Sequence, residues 1–252
     1  MNEIYVDKFE TYPLELINWV KNNAENFNVL INKNIEKNDL EIIIDFEENR
    51  NRNYSLFEKL LTEFQQVLLN NEEKYNFAGY HVTRILNEDE IIKNGLLALE
   101  YGTYSKRMIN LLQRNNISED EINLAMSEIK KIYEGSCGTK KEQVCFFIPY
   151  SRLYTYDLFA QNYGGEIAEW AIAGNDKLTN VWEILTHNGT PVVVEFRFVL
   201  SDLELGEDTF FTEIIIFLYT KIFMNYNYSI RFDGCFKKSI TPEDIMNIIR
   251  IE

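Results

Sequence analysis

The sequence predicts an α+β protein, with an N-terminal helical lobe over residues 1–75 and a mixed α+β core over residues 76–252. Three observations carry that reading. Residues 1–75 read mostly as helix and hold a single weak strand signal, Glu41 to Phe46. Four strong strand signals follow, at Phe77 to Thr83, Gln143 to Ile148, Pro191 to Phe198 and Tyr228 to Phe236, with helical signatures between them. No linker rich in Gly, Pro or Ser separates the lobe from the core, so the two are expected to pack together.

Taken in order, the elements rest on local chemistry. Ser55 with Glu58 reads as a capping box, in which side chain and backbone donors satisfy each other, opening a helix of about 15 residues. Leu56, Leu60, Phe64 and Val67 would share its inner face. Asn87 with Glu90 opens a short helix that stops at Asn94-Gly95, where glycine suits the left-handed end position. Ser118 with Glu121 opens a third, running to Glu134 and stopping at Gly135. Residues 101–140 read as an insertion into the core. Val192-Val193-Val194-Glu195-Phe196-Arg197-Phe198 is apolar and then alternating, as expected of a strand leaving a buried centre. Thr241-Pro242 predicts a last helix with proline in its first turn and Ile245, Ile248 and Ile249 facing inward.

Composition narrows the function classes. The chain of 252 residues is 46% hydrophobic, with 15 Tyr and 17 Phe, which is ample for a packed core and excludes a disordered chain. Forty Asp and Glu against 25 Lys and Arg leave a formal charge of −15. That field repels polyphosphate, so non-specific nucleic-acid binding is excluded as the main activity, while a local basic site and a basic partner both stay open. The most apolar stretch, Phe210 to Met224, is interrupted by Glu213 and Lys221 and is too short to cross a membrane, and the N-terminus lacks the pattern of a secretion signal. Three cysteines, Cys137, Cys145 and Cys235, form no disulfide framework, which suits a reducing cytoplasm.

Histidine is scarce, which makes its placement informative. His81 lies inside a strand, in Gly79-Tyr80-His81-Val82-Thr83-Arg84. Alternation sets His81 and Thr83 on one face and Tyr80 and Val82 on the other. A polar pair within an apolar strand needs partners in the core or a ligand. His187 falls in a turn, where a structural role suffices. A second feature is Tyr163-Gly164-Gly165-Glu166, where paired glycines before an acid either let backbone approach a ligand or make a plain helix–helix turn. The Tyr-rich stretch Tyr150, Tyr154, Tyr156 could stack on a flat ring or fill core.

Gly-Tyr-His-Val-Thr-Arg on a strand, a capped short helix and Asn94-Gly95-Leu96 together resemble the first NAD-binding element of ADP-ribosyltransferases. The resemblance is to the branch with a His–Tyr–acid triad, including bacterial toxin and phage-defence members. Tyr163-Gly164-Gly165-Glu166 and Pro191-Val192-Val193-Val194-Glu195 follow in an order seen in such proteins, and Ile240-Thr241-Pro242 is a weaker echo. The resemblance implies a split mixed or antiparallel sheet core of ADP-ribosyltransferase type. It implies NAD as a substrate, a macromolecular acceptor (protein or nucleic acid), a cytoplasmic toxin or antiphage effector, and a cognate inhibitor or antitoxin. His81 would hold a ribose hydroxyl, with Tyr80, Thr83, Gly164 and Gly165 lining the cofactor. Tyr163 or Tyr150 would stack on nicotinamide. Glu166, or else Glu195, would stabilise the oxocarbenium ion. Arg84 and Arg152 are candidates for the pyrophosphate, against the plainer reading of ion-paired surface residues. Lys106, Arg107 and Arg114 make one helix locally basic, a guide for a phosphate-rich acceptor or a solvated face. A different class stays open: a non-catalytic acidic protein that inhibits or binds a basic partner.

Overall fold

Residues 2–70, 75–135, 141–148, 162–203, 207–236 and 238–251 are described by a computed structural model of the chain. Among these residues the protein is α+β, with an open sheet of six strands. The strand order is β5 (Phe232–Phe236), β3 (Val144–Ile148), β2 (Tyr75–Ile85), β4 (Thr190–Phe198), β6 (Ile245–Arg250), and β1 (Asn2–Ile4) also pairs with β2. The sheet is mixed: β1 runs parallel to β2, whereas β6 runs antiparallel to β4 with a bulge at Glu195/Phe196. Strand β2 is central, which explains its nearly continuous burial from Asn76 to Tyr80.

The chain divides into two compact units, comprising Met1–Gly79, Phe147–Pro149 and Arg197–Gly234 in one, and Tyr80–Phe146, Tyr150–Phe196 and Cys235–Glu252 in the other. The N-terminal helices therefore belong to a unit that extends past residue 75 and includes residues 197–234. The reason is the helix α10 (Glu207–Tyr219), which is buried on all sides from Phe210 onward. Phe211 of α10 packs on Phe57 and Phe64 of α4 (Tyr54–Leu69), and Tyr12 and Phe27 pack on Phe217 and Tyr219. Helices α1 (Leu14–Asn22), α2 (Ala24–Leu30) and α3 (Asp39–Arg52) complete that unit's α-helices among the described residues. Its buried carboxylate, Glu213, accepts from the Tyr228 hydroxyl at 3.1 Å and the Arg231 amide at 2.7 Å. Burial, followed by the Glu213 charge, pushes the Tyr228 hydroxyl far above its ordinary pKa.

The second unit carries a helical core of its own. It is built from α6 (Tyr101–Arg114), α7 (Glu119–Glu134), α8 (Gly165–Ile172) and α9 (Thr179–His187). Met108, Leu112, Ala125, Ile129, Ala168 and Leu185 are fully or almost fully buried at its centre. The stretch expected as an insertion thus supplies two of the unit's main helices. The short helix α5 (Glu88–Asn94) ends at Gly95, whose φ of +69° and approach to the Ile240 carbonyl leave no room for a side chain.

Three expectations are corrected. Glu41 to Phe46 lies in helix α3, because Ile42 and Phe46, four apart, reach the core together while Ile44 is left 44% exposed. Beyond Thr241-Pro242 only a 3-10 turn forms, Pro242–Asp244, and Ile245–Arg250 is strand β6. The β-branched isoleucines there pair with the valines of β4, Val193 opposite Ile249 and Val194 opposite Ile248. Strand β5 begins at Phe232 and not at Tyr228, because side-chain carboxylates, Asp39 for the Tyr226 hydroxyl and Glu213 for Tyr228 and Arg231, hold the preceding segment. Among the described residues no helix is long and apolar enough to cross a membrane.

Candidate functional site

The site is built outward from β2. The Nδ1–H of His81 donates to the carbonyl oxygen of Cys145 in β3, at 2.7 Å. A carbonyl only accepts, so the proton sits on Nδ1 and Nε2 presents a lone pair. The ring is half-buried, and burial holds its pKa below the ordinary 6.5, with the Cys145 hydrogen bond pulling the other way. His81 is therefore neutral at pH 7, and Nε2 has no partner among the described residues. Thr83 follows on the same face of the strand and is half-buried as well.

Tyr80 points to the opposite face. It is buried, and its hydroxyl donates to Glu195 Oε1 in β4 at a long 3.4 Å. Glu195 immediately precedes the β4 bulge, a feature that re-aims a side chain relative to the regular pleat. The structure thus joins two residues the sequence named separately, Tyr80 and Glu195, while His81 is tied to Cys145.

The Tyr-Gly-Gly-Glu segment is held by helices. Tyr163 is 9% exposed within the core of α6–α9, and its amide donates to the Leu185 carbonyl at 2.8 Å. Burial raises its hydroxyl pKa and the charge of Glu90 adds to this, with Arg107 and Arg114 pulling it back. A ring so enclosed offers no open face, so Tyr163 is core packing in this arrangement and not the stacking residue. Gly164, at φ +121°, accepts a hydrogen bond from the Tyr104 hydroxyl, and a Cβ there would meet Tyr104 and Ala168 at 2.8 Å. The close approach expected of this glycine is consumed by the protein's own helix α6. Gly165, at φ +61°, has open space where its Cβ would be. Glu166 stands half-buried in the first turn of α8. Among the described residues no hydrogen bond or ion pair joins His81 to Glu166 or Tyr163.

The cationic candidates have structural work. The Arg84 Nε–H donates to the Gly189 carbonyl at 3.2 Å, fastening the turn that leads into β4. Arg107 lies at 4.0 Å from Glu90. His187, expected in a turn, is instead the exposed last residue of helix α9, with Nδ1 at 2.8 Å from the Glu183 carbonyl one helical turn back. Tyr150, Arg152, Tyr154, Tyr156 and Cys137 lie outside the described residues.

Two features escaped the sequence. Asn162, directly before Tyr163, is 1% exposed, and among the described residues neither its amide nitrogen nor its amide oxygen has a hydrogen-bond partner. Leaving both unsatisfied costs about 1–3 kcal/mol per group, so this carboxamide is a standing invitation to a donor and an acceptor. Nothing in the sequence marks it, since asparagine is frequent throughout. The other is the meeting of Cys145 and Cys235, 90 residues apart in sequence and 2.9 Å apart between sulfurs. An open cleft of about 270 Å³ lies at the end of β2 against Ile85, Asn87, Ile92 and Arg250, but Arg250 is committed to Glu88 at 2.8 Å. Comparison of the chain with protein-family models, curated proteins and solved structures gives no match.

Proposed function

We propose that the protein is an NAD-dependent mono-ADP-ribosyltransferase that modifies a macromolecular acceptor, as a cytoplasmic toxin or antiphage effector with a cognate inhibitor. The observation that carries the reading is His81: a neutral, half-buried imidazole, fixed by Cys145 through Nδ1, with Nε2 left to accept. An imidazole in that state accepts a hydrogen bond from a ribose hydroxyl. Thr83, on the same strand face, lines the same ligand.

In this reaction the C1′–N bond of the nicotinamide ribose breaks and its electron pair leaves with neutral nicotinamide. The oxocarbenium ion that develops at C1′ is stabilised by a fixed carboxylate, and an acceptor nucleophile then attacks C1′ and releases a proton. Glu166 is proposed as that carboxylate; Glu195, the second candidate, is bonded to Tyr80 on the face of β2 opposite His81 and suits the role less well. Tyr80 orients Glu195 through its hydroxyl. Incubation of the protein with adenylate-labelled NAD and host lysate tests the proposal. Label transferred to macromolecules by wild type and lost in His81→Ala supports it. Absence of both label transfer and nicotinamide release from wild type refutes it.

A second reading is favoured by the burial of Tyr163 and the filled space at Gly164: a non-catalytic acidic protein that engages a basic partner. A stoichiometric partner in a pull-down, weakened by salt, together with no heat of NAD binding, selects it over the first.

A further inference from the structure

Strands β3 and β5 are neighbours in the sheet, and they bring Cys145 and Cys235 sulfur to sulfur at 2.9 Å. Neither sulfur is in a disulfide, and both residues are half-buried, within reach of a small oxidant. Their next residues lock the same two strands, with Phe146 and Phe236 stacked at 4.5 Å between centroids and 6° between planes. The strands are therefore held in register beside the sulfurs, so the thiols meet without any chain rearrangement. Among the described residues no group of three or more Cys, His, Asp or Glu gathers to hold a metal ion. A two-sulfur pair of this kind fits covalent closure better than ligation.

We propose that Cys145 and Cys235 form a redox-sensitive dithiol that closes to a cross-strand disulfide under peroxide. The step balances. One thiolate attacks a peroxide oxygen, the O–O bond breaks, and a sulfenic acid and hydroxide result. The second thiolate attacks that sulfur, the S–S bond forms and hydroxide leaves. The two hydroxides take the two thiol protons and depart as water. Peroxide is reduced by two electrons and the dithiol is oxidised by two. The disulfide ties β5 to β3 beside the carbonyl that holds His81. This inference does not depend on the proposed transferase activity.

The test uses the full chain carrying Cys137→Ser, so that only the pair remains. The reduced protein is treated with hydrogen peroxide, and free thiols are titrated before and after. Non-reducing peptide mapping then follows. The expected result is loss of both thiols, one cross-linked peptide pair spanning Cys145 and Cys235, and full recovery of thiols with dithiothreitol. Adding Cys145→Ser or Cys235→Ser must abolish the cross-link, with far-UV circular dichroism confirming that each variant is folded. Thiols that persist through peroxide overturn the proposal. So does oxidation to sulfinic acid without a cross-link, or, in the unsubstituted chain, a dominant disulfide to Cys137.

Discussion

His81 shows how one hydrogen bond sets the chemistry of a residue. The Cys145 carbonyl fixes the tautomer and burial keeps the ring neutral. Since the folded pKa lies below the unfolded 6.5, the unfolded chain binds more protons in the window between them. The stability contribution is complete above about pH 6.5 and is lost as pH falls through the folded pKa. Titration of the His81 ring by NMR is expected to give a midpoint below 6.5, and a midpoint above it contradicts the buried, neutral assignment. Asn162 makes the opposite case, a buried polar group without a hydrogen-bond partner among the described residues. Asn162→Leu is expected to stabilise the ligand-free protein by about 1–2 kcal/mol in urea denaturation. A loss of stability would mean that the amide has partners. The sequence made His81 legible because a polar residue interrupted an apolar strand. It could not expose Asn162, whose burial is set by tertiary packing, nor distinguish a glycine spaced for a ligand from Gly164, spaced for Tyr104.

At the scale of elements, local signals were read correctly where they closed on themselves. The box at Ser118 is complete: the hydroxyl accepts from the Glu121 amide at 3.3 Å, and Glu121 Oε2 accepts from the Ser118 amide at 3.4 Å. The same pattern at Ser55 is unused, because α4 begins a residue earlier with Asn53 at the cap position and no side-chain cap bond. Ser118→Ala is accordingly expected to cost about 1 kcal/mol. Ser55→Ala should stay within about 0.5 kcal/mol. Thermal denaturation of the two variants checks both, and equal losses would contradict the assignment of the caps. The signals that failed were those that needed a partner to interpret. Ile245, Ile248 and Ile249 suit a helix face by spacing, but the open edge of β4 pairs them as a strand. Ile42, Ile44 and Phe46 alternate like a strand, but the Asn38 cap, bonded to the Leu40 amide at 2.9 Å, starts a helix.

At the scale of the whole molecule, the division into two compact units follows packing rather than sequence order. It turns on α10, which is buried on every side from Phe210 onward, Thr212 and Glu213 included, so that no single apolar face tells where it packs. The candidate site was legible in β2 alone, since strand alternation is local, whereas the carboxylate and the stacking ring depend on which helices meet. The account therefore stands on His81 as a ribose-hydroxyl acceptor in an NAD-cleaving protein. The most direct measurement is nicotinamide release from NAD by the purified wild-type, His81→Ala, Glu166→Gln and Glu195→Gln proteins, each checked for folding. The account predicts release by wild type, a fall of about 100-fold or more in His81→Ala, and a comparable fall in one of the two carboxylate variants. Release that is unchanged in His81→Ala, or absent from the folded wild type with NAD and acceptor-containing lysate supplied, would contradict it.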